Sequence, residues 1–332
     1  MKILFMGTPD FAASILNKLI QSNHEVIGVV TQPDKQKGRG KLVSFPKVKE
    51  LAIKHNLPVY QPVKVREAGF IDIIKDIAPE VIVVAAFGQI LPKDFLTIPA
   101  YGCINVHASL LPKYRGAAPI QYSIIEGEKE TGITIMYMDV GIDTGDMILQ
   151  IKIPITAEET GGSLHDKLAF VGADLLIDAL IKIENGTVIR TVQENSKATY
   201  VKMLDKDMGN IDFTATAVQI ERLIRGLNPW PSAYTYLEGK TLKLWQASVE
   251  QCEANDLQCD AIAKQCEAND LQCEAIASPG EIIEIRKDSL VVMTGEGALV
   301  IKELQLEGKK RMTTEAFLNG YSLSVGTKLG DI

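Results

Sequence analysis

Short apolar runs and stretches with helical spacing alternate along the first part of the chain. Residues 2–6 (KILFM) form such a run, and 7–10 (GTPD) break it with a turn. Phe11, Ile15 and Leu19 then recur at helical spacing up to Gln21, and 26–30 is the next apolar run. This strand–helix–strand opening predicts an α/β fold with a mostly parallel, Rossmann-like sheet. Residues 46–55 and 67–75 read as helices and 58–61 as extended. The run 80–86 (EVIVVAA) has no alternating polar position, so it reads as a parallel strand buried on both faces. Strands follow at 102–107, 131–139 and 147–153. The last two are joined by a glycine-punctuated turn at 140–146 (VGIDTGD), which predicts a hairpin or a tight β-loop. Leu164, Leu168, Val171, Leu175 and Leu176 mark a helix reaching Glu184, with Ser163 expected as its N-terminal cap and Gly186 as its stop.

Beyond residue 196 the pattern changes. The stretch 197–213 is polar and mixed, and reads as a linker. Residues 218–227 form a helix that Pro229 and Pro231 halt. Five short runs follow at 233–237, 241–249, 280–285, 289–293 and 298–303, which predict a small β-barrel. The expected organisation is a first domain at 1–196, a linker at 197–213 and a second domain at 214–332. A chain of 332 residues exceeds the roughly 250–300 at which single cores stop growing.

Composition narrows the class. The chain is 46% hydrophobic and 23% charged, with a net charge of −7. No apolar run approaches the ~20 residues of a membrane span. The apolar core at 1–7 is too short for a signal peptide, so a cytoplasmic protein is expected. The acidic balance excludes an overall basic nucleic-acid binder and requires any such contact to be local. One local patch exists: Lys35, Lys37, Arg39 and Lys41, interleaved with Gly38 and Gly40 in a polar loop at 31–49. A solvated loop is the simplest account of a charge run. Flexible glycines among basic residues also suit closure on a phosphate backbone. Residues 251–278 are four heptads (QCEANDL, QCDAIAK, QCEANDL, QCEAIAS) holding four of the five cysteines. The C-x₆-C spacing matches no ordinary zinc site, and the stretch reads as a tandem expansion in a loop.

The chemistry concentrates at 102–121 (GCINVHASLLPKYRGAAPIQ). Period-2 alternation puts Asn105 and His107 on one face at a strand's carboxyl end, where open α/β sheets place their sites. The first turn reads GTPDFA and not G-x-G-x-x-G, which disfavours a dinucleotide. No G-x-S-x-G surrounds Ser109, so it is no activated nucleophile. His24, His55, His107 and His165 have no metal-ligand spacing. Asp143, in its glycine-rich turn, reads by itself as a local turn residue.

The motifs MGTPDFA (6–12), QPDKQKGRGK (32–41), FGQILP (87–92), NVHASLLPKYRGAAPIQ (105–121), MDVGIDTGD (138–146) and RGLNPWPSAYT (225–235) together resemble the methionyl-tRNA formyltransferase family over nearly the whole chain. The resemblance implies formyl transfer from 10-formyl-tetrahydrofolate to the methionine amine of charged initiator tRNA. It places the family's catalytic residues on Asn105, His107 and Asp143, and its folate-contacting segment on Ser109, Leu110, Leu111 and Pro112. The loop bearing Lys35, Lys37, Arg39 and Lys41 would approach the tRNA acceptor end. The second domain would be an OB-like, tRNA-contacting barrel. No metal is implied, and a monomer is the default. The heptads depart from the family pattern without touching any catalytic position. The nearest alternative is a formyltransferase acting on a small amine, such as glycinamide ribonucleotide or an amino-sugar nucleotide; the basic loop and the second-domain motif favour tRNA. A formate-releasing hydrolase and an inert tRNA-binding protein are further alternatives.

Overall fold

The computed structural model describes residues 1–37, 42–250 and 277–330. Arg39, Lys41 and residues 251–276 of the heptad stretch lie outside them. The chain divides into two compact units: Met1–Ile120, Lys129–Thr156 and Ser163–Met203 in the first, and Gln121–Glu128, Ala157–Gly162 and Leu204–Ile332 in the second.

The strands of the first unit, in chain order, are β1 (Lys2–Gly7), β2 (Glu25–Val30), β3 (Lys35–Lys37), β4 (Leu42–Ser44), β5 (Val59–Tyr60), β6 (Val81–Ala85), β7 (Cys103–His107), β8 (Arg115–Gly116), β9 (Glu130–Tyr137), β10 (Met147–Pro154) and β11 (Tyr200–Val201). Helices α1 (Asp10–Ile20), α2 (Lys47–Lys54), α3 (Ala68–Ile77), α4 (Lys93–Leu96) and α6 (Gly161–Glu184) run between them, while α5 (Pro119–Ile125) belongs from Gln121 on to the second unit. Seven strands form one sheet in the order β10-β9-β7-β6-β1-β2-β5. The strands from β5 to β7 pair in parallel, and β9 and β10 pair antiparallel. The apolar runs read from sequence become the central strands: Ile3, Leu4, Phe5, Met6, Val81, Ile82 and Val83 have no exposed surface. Each large side chain among them contributes roughly 1.5–3 kcal/mol relative to exposure.

The chain winds from β1 outward through β2 to β5, then returns to the other side at β6. The order therefore reverses between β1 and β6, and a crevice opens at the carboxyl ends of these strands. Gly7 is required there, because a Cβ would lie 2.8 Å from the Ala85 carbonyl oxygen. Two local expectations change. The polar loop at 31–49 contains the short hairpin β3–β4. Helix α6 starts at Gly161 and not at a cap on Ser163. The Gly162 N–H donates to the Asn228 carbonyl at 2.9 Å, and a Cβ on Gly161 would lie 2.3 Å from the Gly226 carbonyl. Backbone contacts thus do at this helix start what the Ser163 side chain was expected to do.

The second unit holds α7 (Ala217–Gly226), capped by a reciprocal Thr216–Gln219 box. Its strands are β12 (Ala233–Leu237), β13 (Lys240–Glu250), β14 (Ile282–Ile285), β15 (Leu290–Met293), β16 (Ala298–Leu306) and β17 (Met312–Thr313). They form an antiparallel sheet in the order β12-β13-β16-β15-β14, with β17 on β16. All five expected strands are present, but among the described residues strand pairing does not close a barrel. The tail instead bonds to both edges: Ile282 N–H to the Thr327 carbonyl (2.8 Å), and Gly330 N–H to the Tyr236 carbonyl (2.9 Å). A partly open arrangement of this kind is within the OB range. Residues 197–213, expected as a linker, hold β11, which pairs with β8, and a short 3-10 turn at Asp207–Gly209.

Candidate functional site

Strand β7 presents Asn105 and His107 on one face, as the alternation required. The turn at 138–146 folds back over that face and brings Asp143 to both. Asn105 Nδ2 donates to Asp143 Oδ1 at 3.3 Å, and His107 Nδ1 lies 3.7 Å from Asp143 Oδ2. The second distance is too long for a hydrogen bond but within the range of an ion pair once the ring is protonated. Asp143 Oδ2 also accepts from the Gly116 N–H at 2.8 Å. Asp143 has φ +53°, a left-handed conformation that Asp tolerates better than most residues.

The His107 ring is 5% exposed. Its Nε2 is 2.9 Å from the Tyr114 carbonyl oxygen. A carbonyl only accepts, so Nε2 carries the proton and Nδ1 is the nitrogen left to take or give one. Tyr114 itself has φ +60°, and its N–H donates to Thr199 Oγ1 at 2.8 Å.

The segment 109–112 is held from within. Ser109 is fully buried, and its hydroxyl donates to the Lys113 carbonyl at 2.6 Å. Thr134 Oγ1 donates to the Ser109 carbonyl (2.7 Å) and accepts the Leu111 N–H (3.2 Å). Gln150 Nε2 donates to the Leu111 carbonyl at 3.1 Å. Leu111 is buried, and Leu110 and Pro112 are half-buried. The loop after β6 opens at the same sheet edge and leaves Ile90 76% exposed. Thr8 Oγ1 and Gln32 Nε2 both donate to the Phe87 carbonyl (3.3 and 3.0 Å), tying the ends of β1, β2 and β6 together.

The basic patch lies apart from this cluster in sequence. Lys35 is exposed on β3, whose partner strand is β4. Asp34 anchors the hairpin base through Lys49 (2.6 Å) and Gln61 (2.8 Å), and these two bonds hold its carboxyl below the usual range.

Sequence reasoning missed a second layer. Arg115 is 1% exposed, and its guanidinium makes four hydrogen bonds to neutral groups: two to Gln193 Oε1, one to Asn195 Oδ1 and one to Tyr200 Oη. A buried charge must be hydrogen-bonded in this way to be tolerated. Gln193 in turn reaches the Asp143 turn. The one available signal was an arginine inside the otherwise loop-like PKYRG. Among the described residues, no group of three or more His, Cys, Asp and Glu gathers as metal ligands do, and no helix is long and apolar enough to cross a membrane.

A wound α/β sheet joined to a small antiparallel domain is the architecture of the formyl transferase fold. The chain belongs to the formyl transferase family: residues 1–180 match the formyl transferase model and 203–322 its C-terminal domain model. Two of its relatives are methionyl-tRNA formyltransferases. It is 50% identical over 327 residues to the methionyl-tRNA formyltransferase of Agathobacter rectalis, covering 98% of this chain and 99% of the relative. It is 47% identical over 331 residues to that of Lachnospira eligens, covering 100% of both. Among solved structures, an N-formyltransferase from Helicobacter canadensis, in complex with folinic acid and dTDP-3-aminofucose, shares the fold. Its TM-score is 0.62 at 18% identity, over 91% of this chain and 98% of that one.

Proposed function

We propose that this protein transfers the formyl group of 10-formyl-tetrahydrofolate to the methionine amine of charged initiator tRNA, with Asn105, His107 and Asp143 as its catalytic residues. The observation that carries the assignment is the position of Asp143, whose carboxylate contacts the Asn105 amide and faces His107 Nδ1. The donor set fits a formyl carbonyl. A primary amide has two N–H donors; one of Asn105's is spent on Asp143, and the other is available to the oxygen that gains charge when the amine attacks. Asn105 thus supplies a preorganised oxyanion donor. His107 moves the proton at Nδ1, from the attacking nitrogen toward the departing one. Asp143 steadies the imidazolium and orients Asn105. The folate co-substrate supplies the activated one-carbon group, and Leu110, Leu111, Pro112 and Ser109 shape the loop beside it. The C–N bond to the folate breaks as the C–N bond to methionine forms, so no covalent enzyme intermediate is required.

The basic stretch with Lys35, Lys37, Arg39 and Lys41 meets the acceptor end of the tRNA in this reading. The protein works in the cytoplasm as a monomer. Asn105→Ala and His107→Ala test the assignment by steady-state formylation. Each is expected to lower kcat by roughly 10²-fold or more with folate binding retained; near-normal turnover in either removes that residue from the mechanism.

A further inference from the structure

We propose that Gln193 is a positioning residue for this reaction, fixing the Asp143 turn to the buried Arg115 and hence to the backbone that holds His107. The proposal rests on the reading of Asp143 as catalytic.

Asp143 sits in a turn with little hold of its own. Val140 and Ile142 are 68% and 54% exposed, and the Asp139 carboxylate bonds only within the turn, to the Gly141 N–H and the Thr144 hydroxyl. Gln193 anchors the backbone of the turn from outside it. It is 4% exposed, and its Nε2 donates to the Asp143 carbonyl and to the Gly145 carbonyl, both at 2.8 Å. Its Oε1 accepts from Arg115 Nε (3.1 Å) and from a terminal Arg115 nitrogen (2.8 Å). Both amide hydrogens and the oxygen are used. The orientation is forced: a flipped amide would set its oxygen against two carbonyls and its NH₂ against a guanidinium.

Arg115 lies between the two residues that complete the site. Tyr114 gives the carbonyl that meets His107 Nε2, and Gly116 gives the N–H that meets Asp143 Oδ2. The same stretch of chain secures this segment further on. Arg115 N–H donates to the Thr199 carbonyl at 2.8 Å, and β11 pairs with β8. Gln193 therefore links the Asp143 backbone to the segment that contacts His107 and Asp143 itself. Its two donors set where the carboxylate sits; its acceptor serves Arg115.

Gln193→Glu separates these roles. A glutamate still accepts from Arg115 but cannot donate to the Asp143 and Gly145 carbonyls. The expected result is a kcat lower by roughly 10- to 100-fold, as misplacement by an ångström can give. KM for 10-formyl-tetrahydrofolate and for charged tRNA should stay within about threefold. The decisive readout is a cycle with Asp143→Asn: if Gln193 acts through Asp143, the double variant loses no more than Asp143→Asn alone. Gln193→Met, which loses all four bonds without adding charge, goes through the same cycle should the glutamate variant fail to fold. Normal kcat in the Gln193 variants, or losses that multiply in the cycle, would overturn the proposal. An Asp143→Asn enzyme of normal kcat would instead overturn the reading beneath it.

Discussion

Thr134→Val removes, at almost constant volume, the β9 hydroxyl that holds the 109–112 loop flanking the site. Thr134 is opposite His107 in the β7–β9 pairing and has no exposed surface. Its hydroxyl serves three partners: the Ser109 carbonyl, the Leu111 N–H and Gln150 Nε2, the last at 2.9 Å. Gln150 is exposed and can turn to water at little cost. The Ser109 carbonyl and the Leu111 N–H cannot, because Ser109 and Leu111 are buried. Leaving a buried polar group unpaired costs about 1–3 kcal/mol. Two such groups, less the small gain of an added methyl, give an expected loss of about 1–5 kcal/mol. Urea unfolding followed by far-UV circular dichroism measures it, with the slope unchanged if only the native state is affected. The same displacement of 109–112 should raise KM for 10-formyl-tetrahydrofolate more than it lowers kcat. A loss under about 0.5 kcal/mol with an unchanged KM would refute the account of how this loop is held.

Gly116→Ala should lose at least about 2 kcal/mol by thermal unfolding, and kcat with it. The glycine has φ +108°, and a Cβ would lie 2.3 Å from the Val201 carbonyl, so β8 and β11 must part; an alanine variant as stable and active as the parent would contradict this. Cys103 should resist alkylation near neutral pH in the folded protein and react after unfolding, as read by site-resolved mass spectrometry. Burial pushes its thiol up to about 12, and only the thiolate is nucleophilic; rapid native labelling of Cys103 would count against it. Arg39→Ala should lower kcat/KM for charged tRNA and reduce the slope of log kcat/KM against log salt by about one phosphate contact; an unchanged kcat/KM would remove the basic loop from tRNA use.

Elements with strong periodicity were legible in the sequence. The continuous apolar run at 80–86 became β6, and alternation placed Asn105 and His107 on one face of β7. What binds them together was not. Asp143 lies 38 residues from Asn105, and nothing in its glycine-rich turn distinguishes it from a local turn residue; only family resemblance pointed to it. Gln193, Asn195 and Tyr200 follow α6 in a polar stretch without period, yet they hold a buried arginine. Their role depends on long-range hydrogen bonds that leave no local pattern. The start of α6 was misplaced for a similar reason: backbone contacts from 226 and 228 decide it, and these are distant in sequence. The five strands of the second unit were visible as short apolar runs. Their open path was not, because edge pairing to the tail at 327–330 is set by tertiary contact.

The most direct test of the central claim offers labelled 10-formyl-tetrahydrofolate together with three acceptors side by side: charged initiator tRNA, free methionine and glycinamide ribonucleotide. Label is expected on the methionine of the charged tRNA and on neither small amine. Transfer to a small amine with none to the tRNA would contradict the proposed substrate and the role given to the basic hairpin, while leaving the Asn105–His107–Asp143 chemistry in place.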